Sequence, residues 1–70
     1  MNYNEYVEYS KQQLNLLNHC HEVRYVYFDL IARYDKSTAS PAQKKQMRIE
    51  LGKYAEKLIN KMIDNWFPKG

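Results

Sequence analysis

Apolar residues in the second half of the chain recur every three or four positions, which is the spacing of an amphipathic helix. They face a lysine-rich side and are Met47, Leu51, Tyr54, Ala55, Leu58, Ile59, Met62, Ile63, Trp66 and Phe67. The pattern predicts a helix over about residues 41–66. Pro68 ends it, because proline disfavours a helical residue before it.

Ser40, Pro41 and Gln43 form a capping-box pattern at the start of this helix. In a capping box the serine side chain accepts a backbone N–H and the glutamine side chain reaches back to the serine N–H. Proline suits the first helical position. Gly52 weakens the helix, or permits close approach of a neighbouring one.

The first half of the chain carries two lines of helical spacing. One comprises Tyr6, Tyr9, Gln13, Leu16, Cys20, Val23, Tyr27, Leu30 and Tyr34, and the other Leu14, Leu17, His21, Arg24, Phe28 and Ile31. They predict one helix over about residues 3–35, followed by a link at 36–40. Asn15 and Asn18 leave an alternative, in which the helix breaks near residue 18 and the chain has three helices.

These elements predict an all-α fold, in which residues 1–70 form a single helical domain built as an antiparallel helical hairpin. In that hairpin Tyr3 and Tyr6 overhang the far end, beyond Phe67. The first helix carries more apolar surface than one seam covers. Dimerisation into a four-helix bundle is the simplest cover, and folding of a broken first helix onto itself is the next.

Composition limits the compartment and the chemistry. Cys20 is the only cysteine of 70 residues, which excludes an intramolecular disulfide and suits a reducing environment. The chain has no apolar run long enough to span a membrane, and its first residues do not resemble a secretory signal. We therefore expect a cytoplasmic protein with no membrane partner.

The candidate catalytic and metal-binding groups do not converge. His19, Cys20 and His21 are adjacent, so on a helix they point in different directions, and there is no second cysteine or further histidine to complete a zinc site. The carboxylates are scattered, and no glycine-rich phosphate loop is present. We expect no catalytic residue, no metal and no cofactor, and hence not an enzyme.

Positive charge is concentrated in the second half: residues 41–70 carry seven Lys/Arg against three Asp/Glu, while residues 1–40 carry four against five. A nucleic-acid surface on the second helix is the alternative function that this charge suggests. Its residues would be Lys44, Lys45, Arg48, Lys53 and Lys61. The acidic residues Glu50, Glu56 and Asp64 interrupt it, which favours an ordinary solvated face.

The aromatic residues favour a protein partner. Large rings anchor protein interfaces because they bury much area. The predicted partner-binding residues are Tyr3, Tyr6, Tyr9, Leu14, Leu17, Tyr25, Phe28, Trp66 and Phe67. The partner is a second copy of the chain, a larger host complex, or both.

The stretch from Ala55-Glu56 through Asn60-Lys61 to Asp64 resembles the last helix of the small haemolysin-expression modulators, which bind nucleoid proteins, but the likeness covers ten residues only. The helical outline with its Ser-Pro link is similar to small chaperones of type III secretion needles. Short chains rich in tyrosine and lysine are common in phage, mobile elements and bacteria. We therefore expect a small adaptor, chaperone or inhibitor of a larger complex, and assign no family.

Overall fold

The described part of the chain forms three α-helices in a computed structural model: α1 (Tyr3–Asn15), α2 (Cys20–Asp35) and α3 (Pro41–Trp66). The structure describes residues 2–66, and for Trp66 the backbone only. The all-α prediction is confirmed, since these residues include no strand. None of the three helices has the length and apolar character that crossing a membrane requires.

The predicted unbroken helix over residues 3–35 is wrong, and the alternative with a break near residue 18 is the one observed. The N–H groups of Leu16 and Leu17 donate to carbonyls only three residues back, which tightens the end of α1. His19 is then extended, with φ −130° and ψ 140°, and α2 starts after it. Asparagine at positions 15 and 18 weakens a continuous helix here only slightly, and the break also allows α1 to bury Val7 and Leu14.

The ends of the helices follow from local hydrogen bonds. The Asn2 side chain accepts from Glu5 N at 2.9 Å and caps α1. The capping box at the start of α3 is present as predicted. Ser40 Oγ accepts from Gln43 N at 3.2 Å, and Gln43 Oε1 accepts from Ser40 N at 3.3 Å.

Contacts along α2 and α3 show that the two helices run in opposite directions. Asp35 at the end of α2 pairs with Arg48 near the start of α3, and Cys20 at the start of α2 lies against Ile59, with 3.9 Å between its Sγ and the Ile59 carbonyl oxygen. The break lets α1 fold back over both helices. Tyr6 consequently reaches the end of α2, where its hydroxyl donates to the Leu30 carbonyl at 2.7 Å.

The core lies where the three helices meet. Its buried apolar residues are Val7, Leu14, Val23, Leu30, Ile31, Tyr34, Met47, Leu51 and Ala55. The elongated form, 47 × 18 × 17 Å, reflects the length of α3, which extends past the core. Burial within the chain thus covers much of the apolar surface that a two-helix hairpin would have left open.

Candidate protein-binding surface

Two aromatic side chains on α2 face away from the core. Tyr25 is 80% exposed and Phe28 is 66% exposed. They belong to one strip of the helix, together with His21 and Ala32, which are also exposed. We call these four residues the α2 aromatic face. Their spacing of four, three and four residues keeps them on one side of a helix.

Phe28 also forms one wall of a groove between α2 and α3, with a volume of about 530 Å³. Its lining includes Arg24 and Phe28 from α2 and Gly52, Glu56, Ile59 and Ile63 from α3. We call it the α2–α3 groove. Ile63 is 42% exposed there, so apolar surface is open to water on both walls. The partner-binding residues predicted from the sequence did not include Arg24, Glu56, Ile59 or Ile63, because which side of α3 faces α2 depends on how the helices pack.

The floor of the groove is shaped by a close contact between Tyr27 and Gly52. The Tyr27 hydroxyl donates to the Arg48 carbonyl at 3.2 Å, and a Cβ placed on Gly52 would lie 3.2 Å from the same hydroxyl. The close approach that the glycine suggested is therefore present.

A second apolar groove lies on the other side of Tyr25. It is lined by Leu17, His21, Glu22, Tyr25 and Val26 and has a volume of about 360 Å³. Leu17, predicted as a partner-binding residue, is half-buried and packs against the core. Tyr25 thus separates this groove from the Phe28 side of α2.

Leu14 was predicted to bind a partner, and the structure corrects this assignment. Its side chain is 0% exposed, because the break at residues 16–19 folds α1 onto α2 and α3. The residues that a continuous helix would have turned outward at this point lie inside the three-helix core. Leu14 is a core residue.

Tyr3 and Tyr6 were expected to overhang the far end of the molecule, and this placement is wrong. Tyr3 donates its hydroxyl to Glu50 at 2.7 Å, and its ring meets that of Tyr34 edge-on with centroids 6.3 Å apart. Tyr6 packs on the same ring at 5.0 Å. Both side chains are half-buried, and they hold α1 to the rest of the fold.

Burial shifts the ionisation of these two phenols. It raises the pKa of Tyr3 to about 12, with the hydrogen bond to Glu50 and the charge of that carboxylate acting in the same direction. Burial also raises the pKa of Tyr6, against an opposing effect of Arg33. Both hydroxyls are therefore neutral donors near neutral pH.

The remaining predicted partner-binding residues lie elsewhere. Tyr9 is half-buried on α1, with its ring 6.1 Å from that of Tyr6. Phe67 and the side chain of Trp66 lie outside the described residues. Among the predicted residues whose side chains the structure describes, Tyr25 and Phe28 are the two on an exposed face.

The predicted basic residues do not form one face of α3. Lys44 and Lys53 are nine residues apart, about two and a half turns, so they lie on opposite sides of the helix. Arg48 is paired with Asp35. Lys45 and Lys61 are exposed, but sixteen residues separate them, or roughly 24 Å along the axis.

Within residues 2–66, no group of three or more His, Cys, Asp or Glu side chains is placed to hold a metal ion. His19 and His21 stack with ring centroids 5.6 Å apart, and Cys20 is a half-buried free thiol. That the chain needs no metal and no cofactor stays a prediction.

Comparison with known proteins gives no family: no family model matches the chain, and no curated protein or solved structure shows significant similarity to it.

Proposed function

We propose that the chain is a small non-enzymatic protein-interaction module that binds its partner through the α2 aromatic face. The observation that supports this most strongly is the exposure of Tyr25 at 80% and Phe28 at 66%. Neighbouring large rings on a helix face gain free energy when a partner removes them from water, at about 25 cal/mol per Å². Aromatic residues are also the usual anchors of protein interfaces.

The spacing of this face favours a helical partner. His21, Tyr25, Phe28 and Ala32 repeat at intervals of four, three and four residues, which is the pattern of a seam between two packed helices. Ala32 is small and leaves room at one end of this face for a side chain of a facing helix. The large rings of Tyr25 and Phe28 project from its middle and can pack between the side chains of that helix.

In this proposal the partner is a second copy of the chain, a helix of a larger complex, or both in succession. The module acts in the cytoplasm as an adaptor, chaperone or inhibitor. The alternative, a nucleic-acid-binding or nucleoid-associated regulator that uses α3, is less well supported because its cations are spread around the helix.

Site-specific photocrosslinking tests the proposal. A photoreactive phenylalanine analogue replaces Phe28 or Tyr25 in cells that express the chain, and a control carries it at Gln12, which is exposed on α1. We expect discrete protein adducts from positions 28 and 25 and none from position 12. Equal adducts from all three positions, or no protein adduct from positions 25 and 28, would contradict the proposal.

The nucleic-acid alternative has its own signature. Binding to DNA or RNA would weaken steeply as salt rises, because each phosphate contact releases counterions. Under the proposal, Lys45→Glu and Lys53→Glu leave the protein adducts of position 28 unchanged. Salt-sensitive binding that is lost in these variants would favour the alternative.

A further inference from the structure

The α2–α3 groove carries opposite charges on its two walls. Arg24 stands on the α2 wall and Glu56 on the α3 wall. Neither residue takes part in an ion pair among the described residues, where the two pairs are Arg33–Asp29 and Arg48–Asp35. The groove therefore presents an apolar floor with one unpaired cation and one unpaired anion.

The two charges lie at nearly the same level along the groove. Cys20 contacts Ile59. Tyr27, seven residues further along α2, contacts Gly52, which is seven residues earlier in α3. A step forward along α2 therefore matches an equal step back along α3. Arg24, midway between Cys20 and Tyr27, is consequently level with residues 55–56. Phe28 lies one turn from Arg24 towards one end of the groove, and Ile59 and Ile63 lie towards the other.

This arrangement is self-complementary under a two-fold rotation. An axis that runs along the groove, between the two copies, places the α2 wall of one copy over the α3 wall of the other at the same level. Arg24 then meets Glu56 of the second copy, twice by symmetry. Phe28 keeps its level along the groove and lies beside Gly52 of the second copy.

We infer that the α2–α3 groove is a homodimer interface of this kind, a deepening that rests on the proposed function and names a second copy of the chain as occupant. Closed two-fold contacts require a self-complementary patch, and Arg24 and Glu56, at one level on opposite walls, meet that requirement. Two α2–α3 pairs packed face to face form a four-helix bundle of two layers, and α1 of each copy lies outside this bundle. The contact is small, so the dimer belongs to the weak end of specific interfaces.

Charge exchange across the groove tests the inference. Arg24→Glu sets a new carboxylate against Glu56 of the second copy, and Glu56→Arg sets two guanidinium groups together, so each variant meets like charges twice. We expect each to raise the dimer dissociation constant at least about tenfold. An equimolar mixture of the two variants restores both attractive contacts, and we expect it to dimerise like the wild type.

Light scattering over a concentration series, from about 10 μM to about 1 mM, measures the mass of wild type, each variant and the mixture. Circular dichroism checks that helix content is unchanged, as the exposure of Arg24 and Glu56 predicts. A mixture that stays monomeric while the wild type dimerises would overturn the two-fold arrangement. A wild type that stays monomeric throughout would overturn the homodimer, while crosslinks from position 28 to a foreign protein would leave the proposed function standing.

Discussion

Gly52 lies in the middle of α3 at the point where the Tyr27 ring crosses it. A Cβ added there would be 3.2 Å from the Tyr27 hydroxyl oxygen and 3.7 Å from the ring carbon that carries it. The first distance is tighter than an ordinary contact and the second is not. Gly52→Ala therefore tests whether the hydroxyl group alone requires the glycine.

The expected effects follow from two opposing terms. Glycine within a helix costs about 1 kcal/mol relative to alanine. Displacing the Tyr27 hydroxyl weakens its bond to the Arg48 carbonyl, and such a bond contributes about 0.5–1 kcal/mol at a solvent-accessible position. When Gly52→Ala is made in the wild-type background, the gain in helix propensity and the loss of hydrogen bonding nearly cancel. The free energy of unfolding should therefore change by less than about 0.5 kcal/mol.

The gain should emerge in full when the hydroxyl is removed. In a Tyr27→Phe background the nearest atom is absent, and Gly52→Ala should stabilise by about 1 kcal/mol. Urea unfolding of the wild type, both single variants and the double variant, followed by circular dichroism at low protein concentration, gives the coupling energy. Equal effects of Gly52→Ala in both backgrounds, within about 0.3 kcal/mol, would refute this account of the contact.

Three further predictions concern α1. Ser10 Oγ is buried with no hydrogen-bond partner among the described residues, so Ser10→Ala should raise the free energy of unfolding by about 1 kcal/mol; a loss in urea unfolding would contradict this. Leu14→Ala should lower it by about 3 kcal/mol, whereas an exposed Leu14 would give almost no change. The Tyr3 pKa, raised from 10.0 to about 12, means that the folded state favours the neutral phenol. The contribution of the neutral Tyr3 phenol to the free energy of unfolding is therefore present below pH 10 and lost as the pH rises towards 12. Across this interval the wild type should lose stability more steeply than Tyr3→Phe. Parallel curves of stability against pH for the two proteins would contradict the assignment.

Local signals in the sequence were sufficient for α3 and for the absence of strands among the described residues. The capping box is formed by Ser40 and Gln43 alone, three residues apart, so nothing distant decides where the helix starts. Helical spacing of apolar residues is local in the same way. The start of α3 was therefore predictable.

The sequence predicted the break between α1 and α2 only as an alternative, because asparagine destabilises a helix little. The three-four rhythm runs through residues 16–19 without interruption. What favours the break is the packing of α1 back onto α2 and α3, with Val7 and Leu14 buried there. That gain is tertiary, and no short window of sequence contains it.

The candidate surface was predictable only in part, because it too depends on tertiary packing. Tyr25 and Phe28 were singled out as aromatic residues beyond the need of one seam, and they are exposed. Leu14 and Tyr3 were assigned to the same surface on a continuous helix, and the fold of α1 turns them inward. Arg24 and Glu56 became notable only when the packing of α2 on α3 set them at one level.

The solution mass of Phe28→Glu beside the wild type tests most directly the claim that the exposed aromatic side of α2 binds a second copy of the chain. Gln12→Glu, which adds the same charge on exposed α1, is the matched control. We predict that the wild type and the control rise with concentration from 8.5 kDa towards twice that mass, while Phe28→Glu stays at the monomer mass with unchanged helix content. Equal masses for wild type and Phe28→Glu at every concentration would contradict the account.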